Sequence, residues 1–128
     1  MRVRVREDGA RHSTPTPLQL ARYLAIFLAT VFAILYDEAT EQDLRALRVY
    51  EVRRILKEVE AQLTKEPTRP TRRKKLLEGL VRPWVGVRPV WQLRVGDFRV
   101  FYDVDEEGQE VIVRAIRRKG TKTTKEIL

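Results

Sequence analysis

The chain has 128 residues, enough for one domain and hardly two. It has no cysteine, which excludes disulfides, zinc–thiolate sites and cysteine nucleophiles, and its single histidine, His12, argues against histidine catalysis and most transition-metal sites. The net charge of +8 favours an acidic partner, and most of it lies late, with fifteen Lys/Arg against eight acids in residues 67–128.

Residues 1–17 carry Gly9, Ser13, Thr14, Pro15, Thr16 and Pro17 among arginines and read as a flexible tail. Residues 18–36, "LQLARYLAIFLATVFAILY", are the most apolar part, with no charge from Tyr23 to Tyr36. A membrane span needs roughly 20 apolar residues, so the run is short for one. It also has the shape of a signal-peptide core, although Glu7 and Asp8 spoil the basic region before it. The length and pattern fit a split best: a short helix over 18–29, then a buried strand from Val31 to Tyr36. Residues 1–30 are therefore taken as an N-terminal extension and 31–128 as the domain.

Residues 38–64 read as a helical hairpin, with Thr40 and Asp43 at capping-box spacing. Val52, Ile55, Leu56, Val59 and Leu63 then recur at the helical period. The stretch "KEPTRPTRRKKLLEGLVRPWVGVRP" reads as a basic connector with one helical turn at Lys74–Leu80. Its cluster Arg69, Arg72, Arg73, Lys74 and Lys75 is either a solvated face or an anion site.

Residues 90–118 read as strands. A two-residue turn at Gly96-Asp97 puts Val95 opposite Phe98, Arg94 opposite Arg99, Leu93 opposite Val100, Gln92 opposite Phe101 and Trp91 opposite Tyr102. One face is then wholly apolar and seats the helices. The other carries Gln92, Arg94, Arg99, Phe101 and Asp103. With a loop at Asp105–Gly108, Val104 faces Gln109 and Arg99 faces Arg114. That register adds Val111, Val113 and Ala115 to the apolar face, and Ile112, Arg114, Ile116 and Arg118 to the polar one. The tail after Arg118 is basic and weakly patterned, a strand end or a loose segment.

Arg94, Arg99 and Arg114 would thus adjoin across three strands, with Arg117, Arg118 and Lys119 following. Adjacent guanidinium groups repel unless an anion lies among them, and Arg suits bidentate phosphate contact. Phe101 in the same row could stack on a base. The competing reading is an exposed face in which Asp97, Asp103 and other acids pair with these arginines. There is no Gly-rich phosphate loop and no nucleophile elbow, and "DVDEEG" lacks calcium-loop spacing. No metal or cofactor is expected.

The segments "VFAILYDEATEQDLRAL", "AQLTKEPTRPTRRKKL" and "VWQLRVGDFRVFYDVDEEGQEVIVRAI" together resemble the RelE/ParE superfamily of type II toxin–antitoxin toxins, over residues 31–119. The resemblance implies an α+β fold: a two-helix hairpin on one face of a small, mainly antiparallel four-stranded sheet, in the order β-α-α-β-β-β. For the RelE-like subgroup it implies a cytoplasmic endoribonuclease that cuts mRNA in the ribosomal A site through the RNA 2′-OH and is silenced by a cognate antitoxin. Arg94 and Arg99 match basic positions of the first and second hairpin strands, and Lys119 falls near a later Arg. With Arg114 from the face pattern, the expected catalytic set is Arg94, Arg99, Arg114 and Lys119. Further RNA contacts are expected from Arg72, Arg73, Lys74, Lys75, Phe101, Arg117 and Arg118. Departures are Gln92, where the ribosome-dependent ribonucleases often have Lys, and the lack of any tyrosine after Tyr102. The connector from Glu78 to Pro89 is also long for the family. The alternatives are a ParE-like inhibitor of DNA gyrase, or an inactive member tethered to a membrane through 18–36.

Overall fold

The computed structural model describes residues 16–18, 31–79 and 82–128. The expected tail and the short helix over 18–29 therefore fall almost wholly outside the described residues. Among those described, no helix is long and apolar enough to cross a membrane. The order is β1 (Ala33–Tyr36), α1 (Glu38–Arg45), α2 (Val49–Leu63), β2 (Lys74–Leu77), β3 (Val90–Val95), β4 (Phe98–Asp105), β5 (Glu110–Arg118) and α3 (Thr124–Ile127). The sheet has five strands in the order β1-β5-β4-β3-β2. It is mixed: β1 runs parallel to β5, and the other neighbours are antiparallel.

The hairpin of β3 and β4 has the expected register, from Val95 opposite Phe98 to Trp91 opposite Tyr102. Gly96 supplies the positive φ of the turn, at 58°. Ile55, Val59 and Leu63 of α2 are fully buried in one cluster with Leu93, Val100 and Tyr102, so the apolar face does seat the helix. Trp91 and Tyr102 stack with ring centroids 6.4 Å apart. The Tyr102 hydroxyl donates to the Pro67 carbonyl at 2.6 Å, which ties the chain after α2 to the sheet.

Four expectations are corrected. Lys74–Leu77 is a strand, not a helical turn, and it gives the sheet its fifth member. Its pairing follows the edge of β3: Lys74 and Leu76 pair with core-side Leu93 and Trp91, while Lys75 and Leu77 pair with Gln92 and Val90 on the other face. The tail is not loose either. Thr123 and Glu126 form a reciprocal cap that starts α3, and Ile127 is buried.

At α1 the cap is Asp37, which accepts from the Thr40 amide at 2.9 Å. Thr40 is instead buried inside the helix and donates to the Val113 carbonyl at 2.9 Å. Asp43 lies along the edge of β5, past the end of β1, and accepts from the Ile116 amide and from Arg117.

The register of β5 also differs from expectation. Asp105 faces Glu110 across a four-residue turn, and a bulge follows between the pairs Tyr102–Val113 and Phe101–Ala115. Arg114 is the extra residue of that bulge, so it is not opposite Arg99; Arg117 is. One inserted residue reverses the alternation beyond it. Ile116 consequently enters the helix-side core, and Ala115 moves to the opposite face beside Phe101.

Candidate nucleic-acid interface

The face away from α2 is closed at one end and open at the other. At the closed end Val90, Phe101, Ala115 and Ile127 form a second apolar cluster, flanked by Leu77, Trp84 and Leu128. Phe101 is 0% exposed, so it has no ring surface to offer a base. Its expected stacking role fails because α3 and the segment around Trp84 cover it.

At the open end lies a pocket of about 170 Å³. Its cations are Arg72, Arg73, Lys75, Arg94, Arg99 and Lys119. Thr71, Gln92 and Thr124 complete the wall, and among the described residues no carboxylate lines it. β2 brings Lys75, β3 brings Gln92 and Arg94, and β4 brings Arg99. The residue after β5, Lys119, is fixed from the hairpin turn: its amide donates to the Asp97 carbonyl at 2.7 Å, and the Gly120 amide donates to the Asp97 carboxylate at 3.0 Å. The Thr124 hydroxyl donates to Gln92 Oε1 at 3.0 Å, which holds α3 as one side of the pocket.

The pocket cations are mostly uncompensated. Among the described residues, Arg72, Lys75, Arg94 and Lys119 have no side-chain hydrogen bond or ion pair, and Arg73 alone of the six meets a carboxylate, Glu58 at 2.9 Å. Arg99 donates to the carbonyls of Gly96 and Phe98, each at 2.9 Å. Burial, and then Arg94 directly across the ladder, push the Arg99 pKa below its ordinary value, against the pull of Asp97. Like charges placed so cost stability unless an anion sits between them.

The remaining expected site residues lie elsewhere. Arg114 donates to Asp103 at 2.9 Å and lies 3.7 Å from Asp37. Asp103 is 2% exposed, and its second oxygen has no hydrogen bond; Arg88 neutralises it from 3.6 Å. Arg117 is directly opposite Arg99 but reaches over the sheet edge to Asp43 at 2.6 Å. Arg118 turns to the helix side, bonds Glu51 at 2.9 Å and stacks over Phe98 at 4.5 Å. Lys74 is buried and donates to the Gln62 and Glu66 carbonyls at the end of α2, at 3.0 and 2.7 Å. Desolvation depresses its pKa.

Sequence reasoning put Gln92 on this face without giving it a role, and it missed Thr71 and Thr124 as pocket residues. Two signals were present. Gln92 alternates with Leu93 on its strand, and Thr123 and Glu126 stand at capping-box spacing, which puts Thr124 in a first helical turn.

No phenol takes part in the pocket among the described residues. Tyr102 is buried, and burial raises its pKa. Tyr36 lies on the helix side, where burial and then Glu60 push it up to about 12. Arginine, lysine, threonine and glutamine can bind and stabilise negative charge, but none is a ready proton acceptor near neutral pH.

Comparison with known proteins bears on the fold and the family. The archaeal RelE–RelB complex from Pyrococcus horikoshii OT3 contains a chain that superposes with a TM-score of 0.56 at 22% identity, covering 72% of this chain and 99% of that one. A chain of the RelBE2 toxin–antitoxin complex from Mycobacterium tuberculosis gives a TM-score of 0.56 at 20% identity, covering 70% of this chain and 92% of its own length. No curated protein matches the sequence significantly. At such identities the structures establish a shared fold. The model of the ParE toxin of the type II toxin–antitoxin system, parDE, matches residues 34–121, from β1 through the segment that fixes Lys119. That match spans more than half of the sequence, and the chain belongs to the ParE toxin family of type II toxin–antitoxin systems.

Proposed function

We propose that this toxin inhibits translation as an endoribonuclease, with the cationic pocket holding the scissile phosphate of mRNA on the ribosome. The observation that carries the reading is the pocket itself: six cations and, among the described residues, no carboxylate around a volume suited to a phosphate and its ribose. In the reaction the 2′ oxygen bonds to phosphorus, the bond to the 5′ oxygen breaks, and the 5′ oxygen takes a proton. Extra negative charge develops on the phosphoryl oxygens. Arg94 and Arg99, facing each other, and Lys119, held by Asp97, are placed to stabilise that charge. The 2′-OH proton leaves to a group outside the pocket lining, which is consistent with an enzyme that needs the ribosome to complete its site. A cognate antitoxin is the partner that would silence this face, by analogy with the RelB-bound relatives.

The test is expression of the chain with and without Arg99→Ala, read by growth and by primer extension on mRNA. Growth arrest with codon-positioned cleavage, both relieved by Arg99→Ala, is the expected outcome. Arrest with intact mRNA overturns it. The family match favours a second reading, inhibition of DNA gyrase by binding alone, which needs no proton acceptor. Gyrase-dependent DNA breaks beside intact mRNA would select it.

A further inference from the structure

A second cavity, of about 290 Å³, adjoins the first. It is lined by Arg54 and Glu58 of α2, by Arg73, and by Arg94, Val95 and Gly96 at the end of β3. It shares Arg73 and Arg94 with the first pocket. Those two residues are joined through the backbone, the Arg94 amide donating to the Arg73 carbonyl at 2.8 Å. The first pocket lies on the α3 side of this link and the second on the α2 side.

Arg54 is exposed and, among the described residues, its side chain makes no hydrogen bond or ion pair. Its guanidinium rests on the hairpin turn: a Cβ on Gly96 would come within 2.6 Å of Arg54 Nη2. The absence of a side chain at Gly96 therefore lets a cation approach the turn. Three arginines meet one carboxylate here, and that carboxylate, Glu58, is engaged with Arg73 at 2.9 Å. Among the described residues, no aromatic ring lines either cavity.

We propose that the second cavity is a further phosphate subsite, and that a single RNA strand crosses the sheet edge over Arg73 and Arg94 to reach it. This rests on the RNA reading of the first pocket. Arg54 takes the additional phosphate, while Arg73 exchanges Glu58 for the strand. With cations on both sides of the edge and no stacking ring, the subsite reads the ribose–phosphate backbone and not the bases.

The experiment measures binding of uniform-sequence RNA, a dinucleotide and an octanucleotide, to the full chain by fluorescence anisotropy across a salt series. Arg54→Ala is expected to weaken the octanucleotide about five- to tenfold, to flatten its salt dependence by about 0.7 in log–log slope, and to leave the dinucleotide unchanged. Glu58→Gln is expected to tighten the octanucleotide, because it frees Arg73. Arg99→Ala is expected to weaken both ligands. If Arg54→Ala binds the octanucleotide as the parent does while Arg99→Ala weakens it, the second subsite is overturned and the first pocket stands. If Arg99→Ala leaves both ligands unchanged, the RNA reading of the first pocket falls, and the subsite with it.

Discussion

Two groups of arginines share one sheet and behave differently. Arg114, Arg117 and Arg118 on β5 each meet a carboxylate, from Asp103, Asp43 and Glu51 respectively. Arg94 and Arg99 on β3 and β4 meet each other across the ladder and meet no carboxylate among the described residues. The first group joins elements: Arg117 and Arg118 tie β5 to α1 and α2, and Arg114 compensates a buried acid. The second group accepts a repulsion that the fold does not relieve. Where a small protein leaves cations uncompensated around a cavity, an external anion is the natural counter-charge.

Substitutions can break this contrast, and the largest effect falls on stability. Arg114→Ala strips the buried Asp103 of its only hydrogen-bonded cation and is expected to cost about 3 kcal/mol in urea unfolding, since the buried carboxylate then keeps no hydrogen bond from a cation and only the half-exposed Arg88 at 3.6 Å. Asp43→Ala removes the acceptor of both the Ile116 amide and Arg117, and a loss of about 2 kcal/mol is expected in the same measurement. Arg94→Ala should act in the opposite sense. Relief of the pair with Arg99 is expected to raise stability by about 0.5 kcal/mol, while RNA affinity falls about tenfold. A marked loss of stability in Arg94→Ala would erase the distinction between the two groups.

The smallest effect is a pH dependence at Glu51. Its hydrogen bond from Arg118, and then that from the Arg48 amide, lower its pKa below the ordinary 4.5. A carboxylate depressed in the folded state contributes stability that is full above its ordinary value and is lost as pH falls through the lowered one. Thermal unfolding between about pH 7 and pH 3 should therefore show a shallower acid decline for Glu51→Gln than for the parent. Identical declines would mean that the Arg118 contact is not maintained in solution.

The hairpin was legible in the sequence because its information is local. A two-residue turn with Gly96 and strict alternation fix every pair from Val95–Phe98 to Trp91–Tyr102. Helices α1 and α2 were legible from their period, though α3 was not, and Arg94, Arg99, Lys119, Arg72, Arg73 and Lys75 do converge on one cavity. What was not legible depended on non-local pairing. Lys74 reads as one more cation in a basic run, yet its partners are carbonyls at the end of α2. Phe101 alternates onto the polar side, and only α3 and the segment around Trp84 show that this part of it is covered. The bulge at Arg114 has no marker in composition, because the apolar Ala115 and Ile116 and the basic Arg117 and Arg118 that follow it each supply one residue to each face in either phase.

That bulge decouples the faces of β5 from a simple residue count in a way that substitution data alone would not show. Residues before it take their phase from the turn at 106–109, and residues after it run in the opposite phase. Removing Arg114 would heal the bulge and keep Arg117 opposite Arg99 and Arg118 opposite Phe98, whereas taking Arg114 into the ladder would exchange the sides of Arg117 and Arg118. In homologous chains, a one-residue gap at this point thus preserves the wiring, and aligning their late basic residues by count alone, without the gap, would pair groups with different tasks.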